Sequence, residues 1–432
     1  MRNREIYKWN PVYNYIMKIK DKAIQKHIDV CNPDISFKDI VKEVGTETEI
    51  KMAEILQFNR YKDFILIRYG SYADILSGET EITMDNMWDM YDGFYRECRS
   101  LVVDIRNEII VLSPFKKFRN LNEGQENTIE NVNRMISACK SFEVSNKLDG
   151  SMQSASFYNG EIVMAGSQAI NMNESWRLQD GYKMLIENEN YISMVKSYPS
   201  LTFIFEYISL KDAHVVKYKK EQEGLYLIGV RDKRNGKICS YKEVLCFAKQ
   251  YKVKTTSVFN KNMEDIMNDI KKYKSNEMEG FVLNIDGFML KVKCDDYVQI
   301  HKTISHMSST NGIIRAIADD NFDDFISKIP EAYKERIWEV AKIIFEYLYR
   351  INKYIKEQTQ ICISFSQSKK DFMIYVNKNY PKNIKGYIIN EYLGRENNFI
   401  KSGNEKQPHY KKLNEMKEFL ENYIWNMRYD YG

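Results

Sequence analysis

No stretch of this 432-residue chain approaches the roughly 18 consecutive apolar residues that a membrane-spanning helix needs. The opening "MRNREIYKWNPVYNYIMKIK" lacks the apolar core of a secretory signal. Seven cysteines lie far apart, their number is odd, and none forms a C-x-x-C pair. Neither a disulfide framework nor a zinc site is suggested. These absences predict a soluble protein of a reducing compartment, the cytoplasm (the host's if a phage encodes it), with no membrane partner. Proline and glycine are scarce, at 7 and 19 residues, and there is no internal repeat or low-complexity linker. No G-x-x-x-x-G-K-[ST] occurs, so a nucleoside triphosphate would not be held by a P-loop. The net charge of +4 is small beside 64 basic and 60 acidic residues, so a nucleic-acid surface would have to be a local patch.

What is present falls into three textures. Residues 1–60 read as polar and helical, and "DISFKDIVKEVG" spaces Ile35, Ile40, Val41 and Val44 for one helix face, with Asp34 or Ser36 as its cap. From "FILIRYG" at 64 to about 305, short strands alternate with turns and a few helical segments. Asn159-Gly160 and Asp286-Gly287, each between apolar runs, predict two-residue hairpin loops. Beyond 305 the chain reads helical. Ile337, Val340, Ala341, Ile344, Phe345, Leu348, Ile351 and Ile355 form one stripe, and "NEMKEFLENYIWNM" is a further helical segment.

Within the strand-rich part, "SFEVSNKLDGSMQ" sets Lys147 on the side of a strand away from Phe142 and Val144, just before a turn at Gly150. In "MEGFVLNIDGFMLKVK" the Asp286-Gly287 loop pairs 285 with 288, 282 with 291 and 280 with 293. Lys291 and Lys293 then share a face with Val282 and the bare Gly280, a floor suited to a planar base on Val282 and a phosphate between the lysines. Strict alternation sends Glu279 to the other face, so it joins this group only from the strand's frayed start. Glu206, between Phe205 and Tyr207, is costly to bury unpaired. Arg99 and Lys117 stand beside apolar runs. Taken singly, each of these residues is also explained as a solvated surface group.

K-x-D-G at 147–150, F-E-Y at 205–207, E-G-F-V at 279–282 and L-K-V-K at 290–293 occur in the order of motifs I, III, IV and V of the covalent lysyl-nucleotidyltransferases. With "ECRSLVVD", "KFRNLNE", "DAHVVKY", "GVRDKRNG" and "DDYVQIHKT" around them, residues 65–305 resemble the phage-type RNA ligase 1 family, the tRNA-repair ligases. The resemblance implies an α+β fold: a nucleotidyltransferase (ATP-grasp-like ligase) core of antiparallel sheets with helices, followed by an all-helical C-terminal domain. The expected domains are an N-terminal helical segment (1–60), an adenylyltransferase domain (61–305) and a helical domain for RNA recognition (306–432). The implied activity joins RNA 3′-hydroxyl and 5′-phosphate ends through lysyl-AMP and adenylylated RNA, in repair of tRNA or other RNA. ATP and Mg²⁺ are the implied cofactors, with Mn²⁺ as an alternative metal. The implied partner is RNA with such ends, nicked tRNA included, and the protein is expected to be a monomer.

Carried over, the resemblance makes Lys147 the nucleophile and places Lys291 and Lys293 on the phosphates as catalytic groups. Arg99, Lys117, Asn146, Glu206 and Val282 become nucleotide contacts, and Glu279 with Asp149 organises the metal. A free lysine titrates near 10.4, and neighbouring positive charge from Lys291, Lys293 and the metal is the expected reason for a neutral Lys147. Three departures stand out. Ser100 occupies a position that is often glycine in the family, and Arg119 one that is often aromatic. "MAGSQ" (164–168) lacks the basic residue usual after motif I, for which Arg177 is a candidate substitute.

Residues 342–385 carry nine Lys or Arg (342, 350, 353, 356, 369, 370, 378, 382, 385) against three acids (346, 357, 371), interleaved with Tyr347, Tyr349, Tyr354, Phe365 and Phe372. That patch suits phosphates and stacked bases, or it is an ordinary solvated helix face. His301 and Lys302 are further candidates for RNA phosphate. A DNA ligase, a capping guanylyltransferase, and an idle RNA-binding relative remain as alternatives; the full set Lys147, Glu206, Glu279, Lys291 and Lys293 speaks against the last.

Overall fold

The structure is a computed structural model that describes residues 2–70, 86–212, 214–307, 310–318, 322–327, 331–397 and 399. The chain divides into two units, Met1–Val298 and Gln299–Gly432. The first carries three antiparallel four-stranded sheets, in the orders β1-β2-β3-β4, β10-β5-β11-β12 and β7-β6-β8-β9.

The first sheet comprises β1 (Leu56–Tyr61), β2 (Phe64–Tyr69), β3 (Arg99–Asp104) and β4 (Ile109–Leu112). The apolar runs of β2, β3 and β4 (Phe64–Ile67, Leu101–Val103 and Ile109–Leu112) are covered on both faces. Ile65, Ile67, Leu101, Val103 and Ile110 pack with the N-terminal helices. Leu66, Val102 and Leu112 pack the other way, with Ala165 and Ile170. Helix Pro11–Gln25 starts at an Asn10 cap with proline at its first position. Helix Phe37–Val44 is capped by Ser36, whose hydroxyl accepts from the Asp39 amide, and buries Phe37, Ile40, Val41 and Val44.

The other two sheets carry the motif residues. One contains β5 (Phe142–Lys147), β10 (Val258–Phe259), β11 (Gly280–Ile285) and β12 (Phe288–Lys293); the other contains β6 (Ser151–Tyr158), β7 (Glu161–Gly166), β8 (Leu201–Ile208) and β9 (Gly224–Asp232). Both expected hairpins close with two-residue loops, Tyr158 pairing with Glu161 and Ile285 with Phe288. Asn159-Gly160 and Asp286-Gly287 all have positive φ, as such loops demand. On β8, Phe203, Phe205 and Tyr207 join the core that includes Leu178, Leu185, Met194 and Val244. Alternation therefore sends Glu206 to the face away from those helices.

Among its described residues the second unit is built of helices, the longest being Glu331–Ser364. Ile337, Ala341, Ile344, Ile351 and Ile355 are buried as the stripe predicts. Phe345 departs from it: its side chain is exposed, at the margin of the stripe. The segment "NEMKEFLENYIWNM" lies outside the described residues.

Candidate active site

The link Lys147-Leu148-Asp149-Gly150-Ser151 carries the chain from the end of β5 in one sheet to the start of β6 in the next. Gly150 was expected to supply a permissive turn, but its φ is ordinary. Glycine is required by close approach: a Cβ there would lie 2.5 Å from the Tyr207 carbonyl oxygen and 2.9 Å from Glu206 Cγ. The motif loop thus lies against β8 at Glu206.

The register sets two rows of residues across β5, β11 and β12. One row is Lys147–Gly280–Lys293, the other Ser145–Val282–Lys291. Paired residues in a sheet point to the same side. The two lysines therefore flank a position without a side chain, and that emptiness is enforced: a Cβ on Gly280 would meet the Val292 carbonyl oxygen at 2.2 Å and Lys293 Cα at 2.7 Å. Glu279, just before β11, reaches into the row from the strand's start. Its carboxylate accepts from Lys147 Nζ at 2.7 Å and Lys293 Nζ at 3.0 Å and is 4% exposed.

A second group of cations closes the site. The segment 119–121 is hydrogen-bonded along β12, Lys291 N donating to the Arg119 carbonyl and Leu121 N to the Lys291 carbonyl. This holds Phe118 beside the hairpin, with Lys291 Nζ 4.9 Å and the Arg99 guanidinium 5.5 Å from its ring centre. Lys117 Nζ lies 4.9 Å from the Trp88 ring. Arg99 Nη1 is buried without a hydrogen-bond partner. The structure therefore gathers Arg99, Lys117, Lys147, Lys291 and Lys293 with Glu206 and Glu279.

The charge states follow from this crowding. Burial, then Arg99, Lys117, Lys147 and Lys293, depress Lys291 well below the usual lysine range. Burial and Arg99 lower Lys117 as well. Burial lifts Glu206 to about 7; Lys147 opposes this and Glu279 adds to it. Burial also pushes Glu279 up, but Lys147 and Lys293 outweigh it and hold the carboxylate below its usual range. For Lys147 the expectation of a neutral amine is corrected. Burial pulls it down, yet Glu279, Glu206 and Asp149 raise it above the usual value, so the unliganded protein keeps its lysine charged.

Two expected contacts are placed differently. Asn146 lies in the row with Phe281 and Val292, on the face opposite Lys147, its Oδ1 buried and unpartnered. Asp149 has both oxygens engaged: Oδ2 accepts from the Val215 and Val216 amides at 2.9 and 3.0 Å, and Oδ1 from the Tyr297 hydroxyl at 3.1 Å. It anchors the "DAHVVKY" loop. Val282 shares the face of its partner Lys291 and is buried. Arg177 makes a bidentate pair with Asp212, at 2.6 Å for both bonds. His301 is exposed on the helix Asp295–Met307, and the Lys302 side chain lies outside the described residues.

The departures have local causes. Ser100 is the extra residue of a bulge, since Arg68 pairs with Arg99 and Ile67 with Leu101, and its φ is +64°. Glycine suits that backbone; here the hydroxyl donates to the Ser167 carbonyl at 2.8 Å instead. Arg119 is buried and paired with Asp89. The sequence reading does not anticipate Phe118, Trp88, Tyr297 or Tyr218, whose hydroxyl accepts from the Asp149 amide at 2.8 Å. Only an aromatic next to a motif lysine, as at Phe118, offered a signal.

Among the described residues no three His, Cys, Asp or Glu side chains converge as a ready metal cage. Mg²⁺ commonly takes only one or two carboxylates, the rest being phosphate and water. Glu279 and Glu206 supply two carboxylates of that kind.

Residues 97–297 match the RNA ligase family model. A putative bifunctional polynucleotide kinase/RNA ligase of Autographa californica nuclear polyhedrosis virus is 24% identical over 280 residues, 61% of this chain and 38% of that protein. The chain thus spans well under half of that relative. Among solved structures, a Naegleria gruberi RNA ligase with PPi is 20% identical, with a TM-score of 0.32 over 40% of this chain and 55% of that one. An archaeal ATP-dependent RNA ligase (form 1) is 12% identical, with a TM-score of 0.43 over 84% of this chain and 100% of that one.

Proposed function

We propose that this chain, whose residues 97–297 match the RNA ligase family model, is an ATP-dependent RNA ligase that joins 3′-hydroxyl and 5′-phosphate ends, nicked tRNA among its substrates. The observation that carries the reading is the row Lys147–Gly280–Lys293, with Glu279 bridging both amines and further cations alongside.

In the first step Lys147 Nζ attacks the α-phosphorus of ATP. A P–N bond forms, the bond to the β-phosphate oxygen breaks, and pyrophosphate leaves. Lys293 and Lys291 face the phosphoryl oxygens where negative charge grows, and Arg99 and Lys117 face the departing pyrophosphate. The triphosphate's negative charge also favours the protonated form of Lys291, which burial and its cationic neighbours oppose. Lys147 reacts only after losing its own proton, which the Glu279 pair resists. A divalent cation on Glu279 and Glu206, when bound, neutralises phosphate charge and draws the carboxylates' charge away from Lys147. AMP then passes to an RNA 5′-phosphate, and a 3′-hydroxyl displaces it.

The test is incubation with α-labelled ATP or GTP and Mg²⁺, followed by 5′-phosphorylated single-stranded RNA, DNA or nicked tRNA. Label is expected on the protein from ATP, then on RNA, and sealing of nicked tRNA supports the repair role. Labelling by GTP alone, or transfer only to nicked duplex DNA, would overturn it.

A further inference from the structure

Of the three tryptophans in the first unit, Trp88 is buried and Trp9 half-buried, while Trp176 is 44% exposed. Trp176 opens the helix Trp176–Ile186, whose Leu178 and Leu185 enter the core. Its indole and the Tyr207 ring meet edge to face, at 6.5 Å between ring centres. The Arg177 guanidinium lies over it at 4.9 Å. That cation is itself fixed, because Nε and Nη2 both bind Asp212. Asp212 also accepts from Ser151 Oγ at 3.1 Å, and Ser151 directly follows the Lys147–Gly150 motif. One turn along the helix, Asp180 accepts from the Tyr207 hydroxyl at 2.5 Å and pairs with the exposed Lys211 at 3.8 Å. An exposed indole, pinned on one face by a cation, is thus rooted through Asp212 on the residue that follows the Lys147 motif.

We infer that Trp176 is a stacking seat for an unpaired nucleobase of the RNA strand being joined, with Arg177 holding the ring. The inference rests on the RNA ligase reading. A large flat ring already immobilised loses little freedom when a base settles on it, and base–aromatic stacking is sequence-tolerant. The half-exposed Arg177 guanidinium over the ring suits a nucleotide, with its phosphate, better than an apolar peptide. The seat serves the RNA steps and has no part in the attack of Lys147 on ATP.

The test uses the full chain, α-labelled ATP and a 5′-phosphorylated single-stranded RNA, with the same RNA carrying one abasic nucleotide at successive positions. Trp176→Ala is expected to form lysyl-AMP normally and to need about tenfold more RNA for half-maximal AMP transfer. Trp176→Phe should recover most of that loss. Wild-type protein should show a similar penalty at one abasic position, and Trp176→Ala no added penalty there. An unchanged RNA dependence in Trp176→Ala, or an equal wild-type response at every abasic position, overturns the inference; the second readout needs no variant. Absence of lysyl-AMP in the wild type would instead remove the ligase reading itself.

Discussion

Lys147 Nζ and Glu279 Oε2 lie 2.7 Å apart, joined although 132 positions separate them in the chain. The same carboxylate holds Lys293 at 3.0 Å, so two lysines share one nearly buried anion. Lys147→Ala leaves that anion still paired with Lys293, so the protein should fold, with unchanged circular dichroism. It should take no label from α-labelled ATP. Lys147→Arg should fail equally, because a guanidinium stays protonated at any working pH. Undiminished labelling in either variant would remove Lys147 as the nucleophile.

Glu279→Gln separates two consequences of the pair. Without the anion, the Lys147 amine loses the largest of the charges that raise it. It should then acylate faster with an amine-directed reagent at mildly alkaline pH. Lysyl-AMP formation should nevertheless fall by about a hundredfold or more, because Lys293 loses its anchor and the cation its seat. A variant that labels with ATP as well as wild type would show that Glu279 serves folding alone.

How far the site was legible depends on where its geometry is encoded. The pairing of Val282 with Lys291 and of Gly280 with Lys293 followed from one dipeptide, Asp286-Gly287, because a two-residue loop fixes the register of every residue behind it. The all-helical character of the described residues beyond 310 followed from periodicity. The protonation of Lys147 did not, because it depends on Glu206 arriving from another sheet and Glu279 from outside a strand's alternation. The anchoring of Asp149 by Tyr297 likewise joins residues 148 positions apart. Local pattern records which face a side chain leaves, but not what another sheet brings to meet it.

Ser100 tests a reading the sequence left as a mismatch. Its φ of +64° disfavours any side chain, and its hydrogen bond to Ser167 offsets part of that cost. Ser100→Gly should change stability by no more than about 1 kcal/mol, strain relief and the lost hydrogen bond nearly cancelling. Ser100→Val should lose about 2 kcal/mol or more, being β-branched in the left-handed region and burying no partner for the Ser167 carbonyl. Urea titration of the three proteins measures both. Equal stability of the valine variant would contradict the bulge.

Gly280→Ala places one carbon where the Val292 carbonyl oxygen stands at 2.2 Å. The strand pair must part, which should cost about 3 kcal/mol and move Lys293 away from Glu279. Lysyl-AMP formation should fall with the stability, and low temperature that restores folding should not restore full activity. Recovery of both together would mean that Gly280 matters only to the fold.

Glu206 ties stability to pH. Its folded pKa of about 7 lies above the ordinary carboxylate range near 4.3, so the native state favours its protonated form. The stabilisation from that protonation is full below about pH 4 and is lost as pH rises through about 7. Glu206→Gln, which cannot ionise, should therefore melt higher than wild type at pH 8 and close to it at pH 5. The same variant should lose lysyl-AMP formation, since it removes a cation seat beside Glu279. Activity of the wild type should climb from pH 6 to pH 8, as Glu206 ionises and the Lys147 amine sheds its proton more often. Melting curves of the two proteins at pH 5 and pH 8 give the sign directly, and a glutamine variant that melts lower at pH 8 would show that the ionised carboxylate stabilises the fold.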